Sequence, residues 1–282
     1  MAADWASAKR ATYRVRQAFR YEYPRPISDL NHRLIVIPPE RFGDQRRLSH
    51  RVSVELDGAS VESRSDRFGN VIFEVFAARV PAAIEFVAEV DVERFAEPPN
   101  RLAGGWPADG YMLEPSALTE ADGRIQRAAD VLAATTEWGL PLADRINDWV
   151  YQSMTYRYGV TGVRTTAAEA LAIGAGVCQD YAHVMLAVCR ACSLPARYVS
   201  GHLLGQGGTH AWVEVVLAAS DGTGDAIAHA FDPTHASRGG LGYVTVAVGA
   251  DYSDVAPTSG HYRSGAPGRL TATKRVTLTD FE

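Results

Sequence analysis

The stretch GAGVCQDYAH, residues 174–183, sets a cysteine directly after a Gly-Ala-Gly turn, at the point where a helical pattern begins. Gly174 closes the short helix before it, whose start carries Thr166 and Glu169 at capping-box spacing. From Cys178 to Ser193 the stripe Cys178, Tyr181, Ala182, Met185, Leu186, Cys189 and Cys192 keeps helical spacing until Leu194-Pro195 ends it. A cysteine in the body of such a stripe is packing, and Cys189 and Cys192 are read that way. Their C-x-x-C spacing lacks the second pair of ligands a zinc site needs. Cys178 differs because it stands in the first turn. Orphan N–H groups there favour an anion, and the thiolate is the nucleophilic form of cysteine. Gly174 and Gly176 allow a tight turn and leave space for a substrate to approach.

Upstream, the period is two rather than 3.6. VSVEL (52–56), VIFEVF (71–76) and IEFVAEVDVERF (84–95) alternate apolar and polar residues at short intervals, the pattern of an antiparallel β-sandwich. Arg10, Arg14, Arg16 and Arg20 interleave with Tyr13, Val15 and Phe19, as on the wet face of a strand. AEPPNRLAGGWPADG (96–110) is rich in proline and glycine. Helical patterns follow over 119–137 and 141–156, and strands return at 197–204, 210–217, 228–232 and 241–249. The expected division is a sandwich over 1–100, a linker over 101–118 and an α+β domain over 119–282.

The totals exclude several classes. A net charge of −5 leaves no footprint for nucleic acid or an anionic membrane. The opening MAADWASAKRATYRV lacks the apolar core of a signal peptide, and no apolar run reaches the ~20 residues of a membrane helix. Three cysteines do not make a disulfide framework, so reduced thiols and a cytoplasmic location are expected. The histidines 183, 202, 229 and 235 match no compact metal-binding spacing, and no phosphate-cradling glycine motif occurs, so neither metal nor cofactor is expected. Oligomeric state is not legible.

Two further residues give the cysteine a chemical context. His210 opens the strand THAWVEVVL after the glycine loop GQGG (205–208), and Asp232 ends the strand AHAFD just before Pro233. If these strands are neighbours, Cys178, His210 and Asp232 have the order of nucleophile, base and orienting carboxylate. Trp212 lies on the His210 side of its strand, as a shield or as core. Gln179, Tyr156 and Tyr158 are candidates for the pocket or the oxyanion site. Asp180 is given no catalytic role, since an anion there raises a thiol's pKa; its ordinary part is to complement the helix dipole.

GAGVCQDYAH, PARYVSGHLLG, THAWVEVV and FDPTH together resemble the core motifs of the transglutaminase-like superfamily of papain-type cysteine enzymes. The N-terminal strands and the tail VAVGADYSDVAPTSGHY (246–262) are similar to the bacterial members described as cysteine proteases. The resemblance implies an N-terminal β-sandwich followed by a papain-like core of helices on an antiparallel sheet. It also implies Cys178 as nucleophile, His210 as base and Asp232 as orienter, acting on a peptide or amide substrate through a thioester. Hydrolysis is favoured over amine crosslinking. The sequence departs in having Ala250 where the family carries arginine, and in lacking Gly-Trp ahead of the aspartate strand. The other readings are a transglutaminase-fold module that binds peptides without catalysis, and an arylamine acetyltransferase-like enzyme. The latter lacks the arginine-glycine run expected before its cysteine.

Overall fold

The computed structural model describes residues 8–97, 100–102, 110–263 and 267–282. The first alternating segment forms the strand Arg10–Glu22, central to a five-stranded antiparallel sheet. Ala83–Phe95 flanks it on one side, with Gln45–Glu55 and Arg41–Phe42 beyond, and Arg269–Phe281 flanks it on the other. A second sheet runs Thr258–Arg263, Ile27–Ile37, Val71–Val80, Ser60–Ser65. Tyr13, Val15, Phe19, Leu34, Val75, Phe86 and Val92 belong to one buried core. The arginines on the opposite face meet acids at the expected cross-strand positions: Arg14 with Asp91 at 2.8 Å, Arg16 with Glu89 at 3.3 Å and Arg20 with Glu85 at 3.4 Å. Water screens exposed pairs of this kind, so they pattern the surface more than they hold it.

The division expected at residue 119 needs correction. The last two strands pair with Arg10–Glu22 and Ile27–Ile37, so the chain returns to the N-terminal sheets instead of ending within the second domain. Alternation was present in RLTATKRVTLTDF, but Lys274 and Asp280 interrupt its apolar face. Within the expected linker, Arg101–Leu102 adds to the second domain's sheet beside Ala226 and Ile227, and Met112 is buried. Residues 103–109 of that segment lie outside those described.

The second part contains helices α1 (Gly123–Thr135), α2 (Leu140–Ser153), α3 (Ala167–Ile173), α4 (Cys178–Ala191) and α5 (Tyr252–Val255). Its sheet runs Ser237–Arg238, Ala226–Asp232, His210–Ala218, Ala196–Leu203, Tyr243–Gly249, all antiparallel. Helix α4 packs against α1, α2 and α3 and against the two central strands. It is buried on every side from Asp180 to Arg190, and its composition is accordingly apolar all round except near its ends.

Tyr243–Gly249 is the edge strand, and a bare edge invites pairing with another chain. Two buried amides of the sandwich cover it. Gln45 accepts from the Thr245 N–H at 2.9 Å and donates to the Thr245 carbonyl at 2.8 Å. Asn70 does the same with Val248 at 2.9 and 2.7 Å, and Asp66 fixes its orientation. Each amide copies the donor–acceptor pair of a neighbouring strand. Gln45→Leu or Asn70→Leu would strand a buried N–H and carbonyl, costing about 2–3 kcal/mol. Arg16→Ala on the wet face should stay within about 0.5 kcal/mol. Urea unfolding of the three variants checks this, and equal midpoints for all three would remove the amides from the account.

Candidate functional site

Three local devices present Cys178. Helix α3 starts on a capping box, with the Thr166 hydroxyl accepting from the Glu169 N–H at 3.2 Å and the Glu169 carboxylate accepting from the Thr166 N–H at 2.9 Å. It ends at Gly174 in the left-handed region, φ +67°, the conformation that favours glycine. Ala175–Gly176 then pairs in parallel with Thr155–Tyr156, tying the turn to the end of α2. Finally Asp180, fully buried, folds back to accept from the Val177 N–H at 2.7 Å and from the Thr161 hydroxyl at 2.7 Å. A Cβ on Gly176 would sit 2.5 Å from the Asp180 Oδ2, so this glycine is what lets the carboxylate reach back. Burial pushes the Asp180 carboxyl up, against those hydrogen bonds. The result is a half-buried thiol at the first position of α4.

The sheet brings the other two residues to it. Gly201 pairs with His210, and a Cβ at Gly201 would meet the Val244 carbonyl at 2.1 Å and the Trp212 ring at 2.5 Å. Glycine there lets the indole lie beside the histidine, with ring centroids 6.2 Å apart and planes 27° apart. Trp212 is buried with Val199 and Val248, so it is both wall and core. His210 Nε2 lies 2.7 Å from Asp232 Oδ2. The Cys178 thiol also acts on this ring, and Nδ1 is the nitrogen that Asp232 leaves open to it. Burial alone would lower the His210 pKa; the hydrogen bonds to Asp232 and Cys178 and their charges overcome it and raise it to about 9.

Asp232 has no exposed surface and four donors. Besides His210 these are His235 Nδ1 at 2.8 Å, the Tyr243 hydroxyl at 2.8 Å and the Thr234 N–H at 2.9 Å. Burial raises the carboxyl, but the His210 bond and charge, followed by those of His235, bring it down to about 2. Burial and the carboxylate's charge raise the Tyr243 hydroxyl, keeping it a donor.

His235 and Tyr243 were missed in the sequence. The i, i+3 turn from Asp232 to His235, closed by a 3.2 Å backbone bond, was a usable signal in FDPTH; Tyr243 reaches Asp232 only through the sheet. The ligand atoms of His210, Asp232 and His235 lie within 4.8 Å of one another, a set able to hold a metal ion. Both rings already bond the same Asp232 oxygen, however, so hydrogen bonding accounts for the cluster.

The remaining candidates divide. Tyr156, 42% exposed, lies near enough for its charge and that of Cys178 to interact, and its hydroxyl donates to Tyr158 at 3.2 Å. Tyr158 is 77% exposed, its ring edge-on to Tyr156 with centroids 5.3 Å apart. The Gln179 amide turns to the Val163 carbonyl at 3.4 Å. Cys189 is fully buried, and burial raises its thiol far up and that of Cys192 to about 11. A cavity of about 430 Å³ opens behind Trp212 and Tyr243, beside Arg94 and Glu214, but Cys178 does not line it.

This arrangement can be set beside known proteins. Residues 126–224 match the family model of the transglutaminase-like superfamily, and residues 13–93 match that of the bacterial transglutaminase-like N-terminal region. An uncharacterized protein of Mycobacterium tuberculosis (strain ATCC 25618 / H37Rv) is 26% identical over 274 residues, covering 88% of this chain and 86% of that one. Another, from Mycobacterium leprae (strain TN), is 32% identical over 176 residues, 59% of this chain and 60% of that one. The structure of "a Putative Cysteine Protease from Cytophaga hutchinsonii" shares the fold, with a TM-score of 0.77 at 23% identity over 97% of this chain and 92% of that one. The chain thus carries a transglutaminase-like core over 126–224 behind a bacterial transglutaminase-like N-terminal region over 13–93, and it shares its fold with that structure.

Proposed function

We propose that the protein is a thiol-dependent acyl-transfer enzyme that cleaves amide bonds of peptide-like substrates, with Cys178, His210 and Asp232 as its triad. One observation carries the reading: a histidine fastened through Nε2 to a buried carboxylate, within the influence of a thiol at a helix start. The Cys178 sulfur attacks the amide carbonyl carbon, and the carbonyl electrons move to oxygen. The Cys178 N–H, an orphan donor of the first helical turn, supports that oxyanion, a contribution of about 3 kcal/mol when aimed correctly. When the carbonyl re-forms, the C–N bond breaks and imidazolium His210 protonates the departing amine. Water, its proton taken by His210, then attacks the thioester and releases Cys178. Hydrolysis is favoured over crosslinking because the half-exposed sulfur is open to solvent. Free thiols at all three cysteines fit a reducing, cytoplasmic setting.

Iodoacetamide at neutral pH should label Cys178 first and leave Cys189 and Cys192 nearly untouched. Cys178→Ala should abolish that labelling with little loss of stability, because the thiol is only half buried. Mass spectrometry of the labelled protein decides. Faster labelling at either helix-body cysteine would leave the peptide-binding module as the better account.

The ion pair also predicts a pH signature. The folded His210 value, about 9, exceeds its ordinary 6.5, so its contribution to stability is complete below about 6.5 and is lost as pH rises through 9. Asp232 is depressed from 3.8 to about 2, so its contribution is present above about 4 and fades as pH falls toward 2. The urea midpoint should therefore fall between pH 7 and 9, and His210→Ala should flatten that limb. A limb of equal slope in the variant would show that His210 does not carry the charge.

A further inference from the structure

The last strand alternates Leu270, Ala272, Lys274, Val276 and Leu278 on one face with Thr271, Thr273, Arg275, Thr277 and Thr279 on the other. Val276 and Leu278 pack on the sandwich core, so Lys274 occupies an inward position where the pattern calls for an apolar side chain. Its register partner is Gln17, buried, whose amide lies 3.1 Å from His202 Nε2. His202 follows Gly201, the residue paired with His210. The Lys274 ammonium donates to the Gly208 carbonyl, in the glycine loop two residues ahead of His210. The sandwich thus delivers a cation to the histidine side of the site.

That cation is half buried, and its hydrogen bond goes to a carbonyl rather than a carboxylate. Burial lowers its pKa to about 8, and the one charge opposing that, among the described residues, is that of Cys178. It stays charged at neutral pH and lies close enough to feel the nucleophile. An ammonium held this way is a point charge awaiting an anion.

We propose that Lys274 is a substrate-binding residue that receives a carboxylate on the leaving half of the amide substrate. The proposal rests on the Cys178–His210 reading. His210 must protonate the leaving amine, so the leaving half lies on the histidine side, where Gly208 holds Lys274. The substrate class is a peptide whose amine-side fragment is acidic. Either the α-carboxylate of a C-terminal residue or an acidic side chain next to the scissile bond supplies the charge.

Iodoacetate and iodoacetamide alkylate sulfur by the same chemistry and differ by one carboxylate. The ratio of their rates at Cys178 therefore cancels any change in thiolate content and isolates attraction of the anion. In Lys274→Met the iodoacetate:iodoacetamide ratio should fall about tenfold, the order expected of one partly screened charge. Lys274→Arg should keep the wild-type ratio, which also controls for damage to the fold. A ratio unchanged within about twofold in Lys274→Met overturns the proposal. If neither reagent labels Cys178 in the wild type, the nucleophile assignment itself fails, and this proposal with it. A mixed peptide library, read by mass spectrometry, separates the two sources. Loss of single C-terminal residues indicates the α-carboxylate, and cleavage ahead of Asp or Glu indicates the side chain. Cleavage indifferent to charge on the leaving side counts against the role of Lys274.

Discussion

A carboxylate with no exposed surface keeps its charge only when donors surround it, and Asp232 is such a group. Its four donors come from three places: the neighbouring strand (His210), its own turn (Thr234 and His235) and the edge strand (Tyr243). Desolvation of the bare ion would outweigh any single bond, so the site depends on all these elements being in register. The sandwich enters here. Gln45 and Asn70 grip the backbone of the edge strand, which carries Tyr243 to Asp232, and Asp232 in turn fixes the ring that meets Cys178. The N-terminal region is therefore part of how the site is held.

Much of this was legible because it was local. The capping box at Thr166, the glycine stop at Gly174 and the start of α4 at Cys178 each follow from a few adjacent residues. So does the alternation of Arg14, Arg16 and Arg20 with buried neighbours. What escaped was non-local. The strand Arg269–Phe281 shows its alternation only if a lysine is accepted on the inner face. Tyr243 and Gln45 act through contacts across 11 and 200 residues of sequence, which no local pattern encodes. The triad's order was readable, and so were its strand ends; that His210 uses Nε2 for Asp232 came only with the structure.

Two influences bear on the sulfur of Cys178, the helix start and the neighbouring histidine. The dipole of a helix end is worth about 0.3–1 kcal/mol to an exposed anion. An opposite charge at about 4 Å gains on the order of 4 kcal/mol at the effective dielectric of a protein surface. On the proposed reading, an imidazolium at His210 bonded to Asp232 would therefore outweigh the helix end. Asp180 fits this ranking. Its carboxylate lies in the same first turn and would oppose a thiolate, yet its oxygen is engaged by Val177 and Thr161, and burial favours its neutral form. It serves as a clamp on the turn. On the proposed reading the charge available to the sulfur is the imidazolium at His210, fixed by Asp232, so the second and third members of the proposed triad, more than the helix end, would decide whether Cys178 reacts.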